Sequence, residues 1–470
     1  MVSARLALVP RSARLPLGAA LLAVGLSLTG CAPPTGSLPP DRARTEPLQM
    51  PRVSPAAVAL PARTHSNADL ARDFMALSFR LESGRELPRL TRFEGPVSVR
   101  LTGDVPATAP QDLAALLARL RAEAGIDIAA RPGTADTITV EFLPRRKMQA
   151  LVPNAACFVA PNVTGWQDYR RARRSARTDW AALEQRHTVS VFVPSDSPPQ
   201  EVRDCLHEEI AQALGPLNDL YRLSDSVFND DNFHTVLTGF DMTMLRIHNA
   251  AELRSGMTAP EVAARLPAIL ARLNPQGGPV GPLTDPAPTP QAFTRAIEAA
   301  LTPGGNGARR KAAAARAVDI ARAEGWRDTR AGFAWYALGR LSLPDDPEGA
   351  LAAFLRAGQL YRALPGGAIQ VAHVDMQMAA FALSGGRAQD ALTLVARALG
   401  PAAESQNAAL LATLYLIRAQ SYDTLGHRAE AAQARLDSAG WARYGFGSDA
   451  AMRRRAAEVA ALTRTAPRLR

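Results

Sequence analysis

The stretch CLHEEIAQALGPLND (residues 205–219) is the most informative segment of this 470-residue chain. Its apolar residues recur at helical spacing, and Ser197, Pro198 and Pro199 predict where the helix starts. Gly215 is followed by a proline, which predicts that the helix ends there. The segment therefore predicts one helix that carries several acidic and amide side chains.

The polar residues of this helix have the spacing of a zinc-peptidase motif. Such a motif has two metal ligands four residues apart on one helix face, a general-base glutamate after the first, and in its longer form a glycine turn and a third ligand. Here Glu208 and Gln212 have the paired ligand positions, and Glu209 has the general-base position. Gly215 has the turn position and Asn218 the third-ligand position.

A register that starts at His207 fails, because Ala211 would then be the second ligand. From Glu208 every spacing of the longer motif is kept, but each histidine is replaced. The spacing predicts an α+β fold with a zincin or metzincin-like domain. Zn²⁺ favours imidazole and thiolate ligands, so glutamate, glutamine and asparagine make a poor zinc set. We expect no cofactor, with a divalent ion held by oxygen atoms as the alternative.

Further polar residues could surround this site. They are His207, Asp219, Asp230, Asp231 and His234. Two functions remain open on these residues: a degenerate domain that serves binding or scaffolding, and a peptidase or cell-wall hydrolase in which Glu209 acts as general base with a non-classical metal or none. A third interpretation is a structural network that ties the loop after the helix to the helix itself. His248 is expected near the surface.

The segment 207–246 also resembles a known bacterial family. Its EExxQxLG pattern (208–215), its Asn-Asp pair (218–219) and its S-x-F-N-D-D pattern (226–231) are similar to those of the domain-of-unknown-function family 2927. The resemblance covers about residues 70–250. It implies the fold of that family and no established activity.

The N-terminus predicts export and a lipid anchor. Residues 1–30 have arginines, no acidic residue and a short apolar run, which is typical of a signal peptide. The run ends in LTGC (28–31), which resembles the bacterial lipobox and implies cleavage before Cys31 and its lipidation with palmitate or a similar acyl chain. Ala32 favours the outer membrane over the inner, facing the periplasm. Residues 31–66 are rich in proline and predict a tether.

The rest of the chain predicts two folded regions. Alternating strands are predicted at 97–101, 137–142 and 188–193, and helices at 67–84 and 110–124. Residues 67–260 are thus predicted to form the metzincin-like domain. A helix and a proline- and glycine-rich linker follow at 261–291, and residues 292–470 are predicted to be all α-helical.

The C-terminal region contains a repeated small–large–small pattern. It recurs at Ala350-x3-Phe354-x2-Ala357, Ala391-x3-Val395-x2-Ala398, Ala432-x3-Leu436-x2-Ala439 and, more loosely, Ala314-x3-Val318-x2-Ala321. The pattern is similar to the second helix of a tetratricopeptide repeat, although the repeat is longer than usual. We expect helical hairpins that bind protein partners.

The cysteines predict a disulfide, and the charged residues argue against a nucleic-acid partner. Cys157 and Cys205 are the two cysteines after Cys31, and in an oxidising compartment they predict a disulfide. The net charge of +10 is the difference between 54 basic and 44 acidic residues, and among the basic residues only Lys147 and Lys311 are lysine. This arginine excess is typical of biased composition rather than of a basic surface, so we expect no nucleic-acid partner.

Overall fold

The computed structural model describes most of the chain after the predicted tether. The described residues are 65–131, 135–153, 155–229, 231, 233–282, 288–302 and 304–463. The predicted signal peptide, the lipidation site Cys31, the tether up to residue 64 and the candidate residue Asp230 lie outside them. Among the described residues, no helix is long and apolar enough to cross a membrane.

The first region is built on a five-stranded mixed sheet. Its strands are β1 (Val97–Gly103), β2 (Ile128–Ala129), β3 (Asp136–Leu143), β4 (Phe158–Pro161) and β5 (Thr188–Pro194). The strand order is β2-β1-β3-β5-β4, and only the edge strand β4 is antiparallel to its neighbour. The three strands predicted by alternation are confirmed as β1, β3 and β5. The two short edge strands were not predicted.

Helices cover the sheet and carry the candidate site. They are α1 (Asn67–Ser78), α2 (Ala109–Ala124), α3 (Arg145–Gln149), α4 (Trp166–Ala172), α5 (Pro199–Leu214), α6 (Gly239–His248), α7 (Ala259–Ala263) and α8 (Leu266–Leu273). Valines of β5 and leucines of α1, α2 and α5 share the main core. Phe192 of β5 faces a second, smaller core with residues of α3 and α4. Because both faces of β5 are covered, every residue from Val189 to Pro194 is buried, including the polar Ser190.

Of two predicted helix C-termini, one is confirmed and the other is wrong. The helix at 110–124 is confirmed as α2, and its C-cap is Gly125 in the left-handed conformation. The prediction that Gly84 closes α1 is wrong, because α1 ends at Ser78 and Gly84 lies in the following turn. Ser66 is the N-cap of α1, and its side chain accepts a hydrogen bond from the backbone N–H of Asp69.

The second region is helical. It consists of α9 (Gln291–Leu301), α10 (Gly307–Ala323), α11 (Thr329–Ser342), α12 (Pro347–Arg362), α13 (Ala368–Ser384), α14 (Ala388–Glu404), α15 (Ala408–Thr424), α16 (Arg428–Phe446) and α17 (Asp449–Ala461). Each helix packs against the next along the chain. Glycines allow close approach: a methyl group on Gly445 of α16 would lie 2.6 Å from the backbone nitrogen of Ala409 in α15.

The repeated pattern marks the packed face of three helices but not of the fourth. Its residues are fully or nearly fully buried in α10, α12 and α14. In α16 the prediction that Ala432, Leu436 and Ala439 form the packed face is wrong, because Leu436 is 69% exposed. The buried face of α16 has Ala431, Ala434 and Ser438 instead. The pattern residues of α16 therefore face solvent, although they follow the same sequence pattern as those of α12 and α14.

The loop after α5 and the first half of α5 contact the helical region. Tyr221 and Phe233 from this loop belong to the hydrophobic core of the helical region. Phe233 packs edge-on against Tyr336, with ring centroids 5.2 Å apart. The candidate segment therefore lies at the contact between the two regions.

Candidate functional site

Helix α5 and the turn after it hold the residues of the predicted site. The helix ends at Gly215 as expected. A methyl group on Gly215 would lie 2.8 Å from the ring of His248, so the close approach of this ring requires glycine. His248 was expected near the surface, and this expectation is wrong. Its ring is buried at the end of α6, and Nε2 donates a hydrogen bond to the carbonyl oxygen of Thr91 at 3.1 Å.

A buried arginine that the sequence analysis missed closes the C-terminal end of α5. The Arg186 guanidinium donates hydrogen bonds to the carbonyl oxygens of Gln212 (2.8 Å), Ala213 (2.7 Å) and Gly215 (2.7 Å). These are carbonyl groups that the end of a helix leaves without helical partners, and a cation also stabilises that end of the helix dipole. Arg186 is 2% exposed, and this burial lowers its pKa to about 9.

Glu209, the residue in the general-base position, is sealed inside the domain. Its side chain is 4% exposed, and its Oε2 atom has no hydrogen-bond partner. Burial, followed by the negative charges of Glu208 and Glu82, raises the pKa of Glu209 well above its usual range. The structure therefore favours the neutral carboxyl group, whereas a general base has to be ionised and within reach of water. Glu208, in the first-ligand position, is half-buried.

Gln212 and Asn218, the other two ligand positions, make structural hydrogen bonds. Gln212 Nε2 donates to the carboxylate of Asp219, 3.2 Å from Oδ2. Asn218 Nδ2 donates to the carbonyl oxygen of Ala76 in α1, at 3.0 Å. Both amide nitrogens are thus directed at oxygen acceptors of the protein. These contacts hold the turn after α5 against α1.

His207 contacts the loop before α6 rather than the turn after α5. Its Nδ1 atom accepts a hydrogen bond from the backbone N–H of Leu237 at 3.1 Å. Burial, and then the positive charges of Arg203 and Arg119, keep the pKa of His207 well below its usual value. His207 is therefore a neutral core histidine that fixes the end of the loop before α6.

Asp231 and His234 lie at the contact with the helical region. The carboxylate of Asp231 accepts hydrogen bonds from the backbone N–H of Phe233 (3.1 Å) and, more weakly, from the hydroxyl of Thr329 in α11 (3.5 Å). His234 Nε2 donates to the carbonyl oxygen of Ser224 at 3.0 Å. Burial lowers the pKa of His234. Both side chains hold the loop in place beside the helical region.

Arg203 joins the two regions and was also missed by the sequence analysis. This buried arginine of α5 donates hydrogen bonds to the hydroxyl of Thr235 (3.1 Å) and to the carbonyl oxygen of Gln406 (2.9 Å) in the helical region. Its guanidinium also lies over the ring of Tyr444, 5.4 Å from the ring centroid, at a distance that allows a cation–π interaction. The sequence could not single out Arg186 and Arg203, because nothing in the neighbouring residues distinguishes a buried arginine from the many exposed ones.

The donor set does not fit a zinc ion. Carboxylate and amide groups replace imidazole and thiolate, and the amides of Gln212 and Asn218 present their N–H groups to protein oxygens. Within the described part of the chain, no group of three or more histidine, cysteine, aspartate or glutamate side chains is placed to hold a metal ion.

A cleft of about 660 Å³ opens beside the turn after α5. Asn218, Asp219 and Arg222 line one side of it, and Arg295 and Glu298 of α9 line the other. Glu209 and Gln212 are not among its lining residues. Of the motif positions, Asn218 therefore lines this cleft, whereas the buried Glu209 and Gln212 do not.

The predicted disulfide is confirmed. Cys157, directly before β4, is bonded to Cys205 of α5, with their Cα atoms 6.0 Å apart. It fixes the helix that carries the motif to the edge of the sheet. Cys205 is thereby a structural residue.

These features define an α/β domain with a mixed sheet, fused to a helical region. Residues 67–268 match the family model described as "Protein of unknown function (DUF2927)". This match extends from the start of α1 into α8 and agrees with the resemblance found over residues 70–250. Comparisons with curated proteins and with solved structures gave no significant match.

Proposed function

We propose that this protein is a non-catalytic binding scaffold of the bacterial cell envelope. In this proposal the α/β domain is a metzincin-like domain whose catalytic positions have become structural. The helical region is tetratricopeptide-like and binds a protein partner. A lipid anchor at Cys31 holds the chain to the periplasmic side of the membrane.

The burial of Glu209 carries the proposal. A hydrolase that uses Glu209 as general base needs this carboxylate to reach both water and substrate, and the side chain is 4% exposed. The spacing from Glu208 to Asn218 and the helix-ending Gly215 support a metzincin-like origin. The hydrogen bonds of Gln212 and Asn218 support a structural use of the old ligand positions.

A groove in the helical region supports partner binding. A cavity of about 470 Å³ lies between α11, α13, α15 and α17. Its lining combines apolar side chains, such as Phe381 and Ile417, with the exposed cation Arg340. Within the described part of the chain Arg340 makes no ion pair, so an acidic group on an apolar partner segment would complement it. Grooves of this kind are typical of helical repeat proteins that bind other proteins.

The central experiment compares Glu209→Gln with the wild-type protein on peptides and on peptidoglycan. We expect no turnover above background by either protein, and no stoichiometric metal in elemental analysis of the purified wild type. Glu86→Gln is the matched control, because it makes the same change on an exposed glutamate outside the candidate site. Turnover that depends on Glu209, or a bound metal, would overturn the scaffold proposal.

Hydrolysis is the second candidate, because two adjacent carboxylates with one raised pKa are typical of functional sites. It would use Glu209 as general base after an opening of the turn that covers it. The same assay decides between the two candidates.

The lipid anchor has its own test. Metabolic labelling with palmitate should label the wild-type protein, and Cys31→Ala should abolish the label. Label retained by Cys31→Ala would contradict the predicted anchor without affecting the scaffold proposal.

A further inference from the structure

A small lobe extends from one face of the sheet near its β4 edge. Helices α3 and α4 both pack on its core, which includes Met148 of α3, Trp166 of α4 and Phe192 of β5. Its aromatic side chains are in mutual contact: the Phe158 ring centroid lies 4.9 Å from that of Phe192, and the Trp166 centroid 5.4 Å from that of Phe192. The two helices are therefore parts of one packed unit.

This lobe is strongly basic. Residues 145–153 and 166–177 contain eight basic residues and one acidic residue, Asp168. Asp168 is already paired with Arg171 and Arg177. The expectation from composition, that the arginine excess forms no basic surface, is wrong for this lobe.

Four of the cations are exposed and make no ion pair with the described residues. They are Arg146 and Lys147 of α3 and Arg170 and Arg174 of α4 and the turn after it. Elsewhere on the lobe, the basic side chain of Arg145 pairs with Glu201. The four exposed cations thus leave an uncompensated positive charge on the solvent side of the lobe.

An apolar turn follows the cations of α3. Leu151 and Val152 are half-buried and Pro153 is exposed. The disulfide at Cys157 holds the end of this segment to α5. The lobe thus combines exposed positive charge with partly exposed apolar side chains, which is the combination that binds the interface of an anionic bilayer.

We propose that this lobe binds the anionic phospholipid headgroups of a membrane surface. Each cation near such a surface strengthens binding by about fivefold at low salt. Phosphate groups of the lipids would pair with the guanidinium groups of Arg146, Arg170 and Arg174 and with the ammonium group of Lys147. The turn with Val152 and Pro153 would contact the boundary between headgroups and acyl chains.

The structure favours a membrane over a nucleic acid as the partner. Proteins that bind single strands stack bases on exposed aromatic rings. On this lobe Trp166 is 1% exposed, and its ring packs inside with Phe158 and Phe192. Charge without an accessible stacking surface fits headgroup phosphates better.

This inference goes beyond the proposed function, because it does not require the lipid anchor. Even with an anchor at Cys31, the chain between Cys31 and His65 is long enough to reach about 120 Å when fully extended. Its length alone would therefore not determine which face of the folded part meets the bilayer. The basic lobe would turn one defined face of the protein towards the bilayer.

The test measures binding of the full chain to lipid vesicles. The chain is made by cell-free synthesis, so that no acyl group is attached. Vesicles of phosphatidylcholine alone are compared with vesicles of equal parts phosphatidylcholine and phosphatidylglycerol. We expect at least about tenfold tighter binding to the anionic vesicles, and a loss of this difference at high salt.

Charge-neutral variants locate the binding surface. Arg146→Gln with Lys147→Gln, and separately Arg170→Gln with Arg174→Gln, should each weaken binding to anionic vesicles by about 25-fold, because each variant removes two cations. The matched control is Arg453→Gln with Arg454→Gln, which removes two exposed cations from α17 and should leave binding unchanged. All variants change exposed side chains, and circular dichroism checks that they remain folded.

Three results would overturn the inference. The first is equal binding of the wild type to neutral and anionic vesicles. The second is an equal loss for the α17 control, which would indicate a response to net charge rather than to this surface. The third is lobe-dependent binding of a single-stranded oligonucleotide that is tighter than binding of anionic vesicles. None of these results bears on turnover by Glu209, so they do not affect the scaffold proposal.

Discussion

The side-chain amide of Gln212 donates a hydrogen bond to the carboxylate of Asp219, with Nε2 3.2 Å from Oδ2. Gln212 has the second-ligand position of the helix motif, and Asp219 lies one residue after the third-ligand position. A glutamine can bind a metal ion only through its amide oxygen, and here the amide nitrogen fixes the side chain to the neighbouring carboxylate. The position therefore stabilises the turn after α5 in the place where a metal ion would be held.

Replacing Gln212 by glutamate tests this role. Gln212→Glu removes the donor and places a second carboxylate beside Asp219, so we expect a loss of about 1–3 kcal/mol in the free energy of unfolding at pH 7. Urea unfolding measures it. Gln389→Glu makes the same change at an exposed position of α14 and should have little effect. Equal stability of Gln212→Glu and the wild type would contradict a structural role.

The turn at Gly215 is expected to tolerate no side chain. Gly215→Ala places a methyl group 2.8 Å from the His248 ring, and we expect a loss of about 1–3 kcal/mol in thermal or urea unfolding. Gly400→Ala is the matched control, because a methyl group there meets no atom within 4 Å and lies in a helix, where alanine is favoured over glycine. A neutral Gly215→Ala would show that the ring moves freely.

Arg186 should be among the most sensitive residues of the α/β domain. Arg186→Leu leaves the carbonyl oxygens of Gln212, Ala213 and Gly215 without their donor, and we expect a loss of about 3 kcal/mol or more in the free energy of unfolding. Arg272→Leu, which removes an exposed arginine paired with Glu252, should lose much less. Similar losses for the two variants would contradict the capping role of Arg186.

The disulfide is expected to contribute strongly to stability. Cys157 and Cys205 are separated by 48 residues, and closing a loop of that length in the unfolded chain corresponds to about 4 kcal/mol. Cys157→Ala with Cys205→Ala should therefore unfold at lower urea concentration than the oxidised wild type. Adding a reductant should bring the wild type to the same midpoint as the variant, and should leave the variant unchanged. A reductant effect on the variant would point to another cause.

Local patterns predicted the elements that hold the site. Alternation identified β1, β3 and β5, and the sequence around Gly215 identified the end of α5. The presence of two cysteines after Cys31, in a chain predicted to be exported, identified the disulfide. These predictions rest on neighbouring residues or on composition, so a single sequence is enough to make them.

The burial and the contacts of the other residues depend on tertiary packing, which local sequence patterns do not predict. His248 is buried only because the turn at Gly215 closes over its ring. Asp231 contacts Thr329, which is 98 residues away, so no spacing within the loop could place it. The exposed side of α16 carries Leu436, and only the packing of the preceding helix fixes that rotation. The sequence did not predict the basic lobe, because α3 and α4 are separated along the chain and are brought together only by their shared core.

The pH dependence of stability tests the central claim, which is that Glu209 is a buried structural residue. Its pKa in the folded protein lies above the unfolded value of about 4.3. The folded state therefore holds the proton more tightly. The stability contributed in this way is fully present below the unfolded pKa and is lost as pH rises towards the folded pKa. Glutamine has no proton to lose, so Glu209→Gln should lack this loss.

The decisive measurement is the free energy of unfolding of the wild type and of Glu209→Gln across the range from acidic to mildly alkaline pH. We predict that the wild type loses stability relative to Glu209→Gln as pH rises, while the exposed control Glu86→Gln follows the wild type. Parallel curves for the wild type and Glu209→Gln would contradict the account. They would mean that the Glu209 carboxylate ionises in the folded protein as it does in water, and that it is not a buried structural residue.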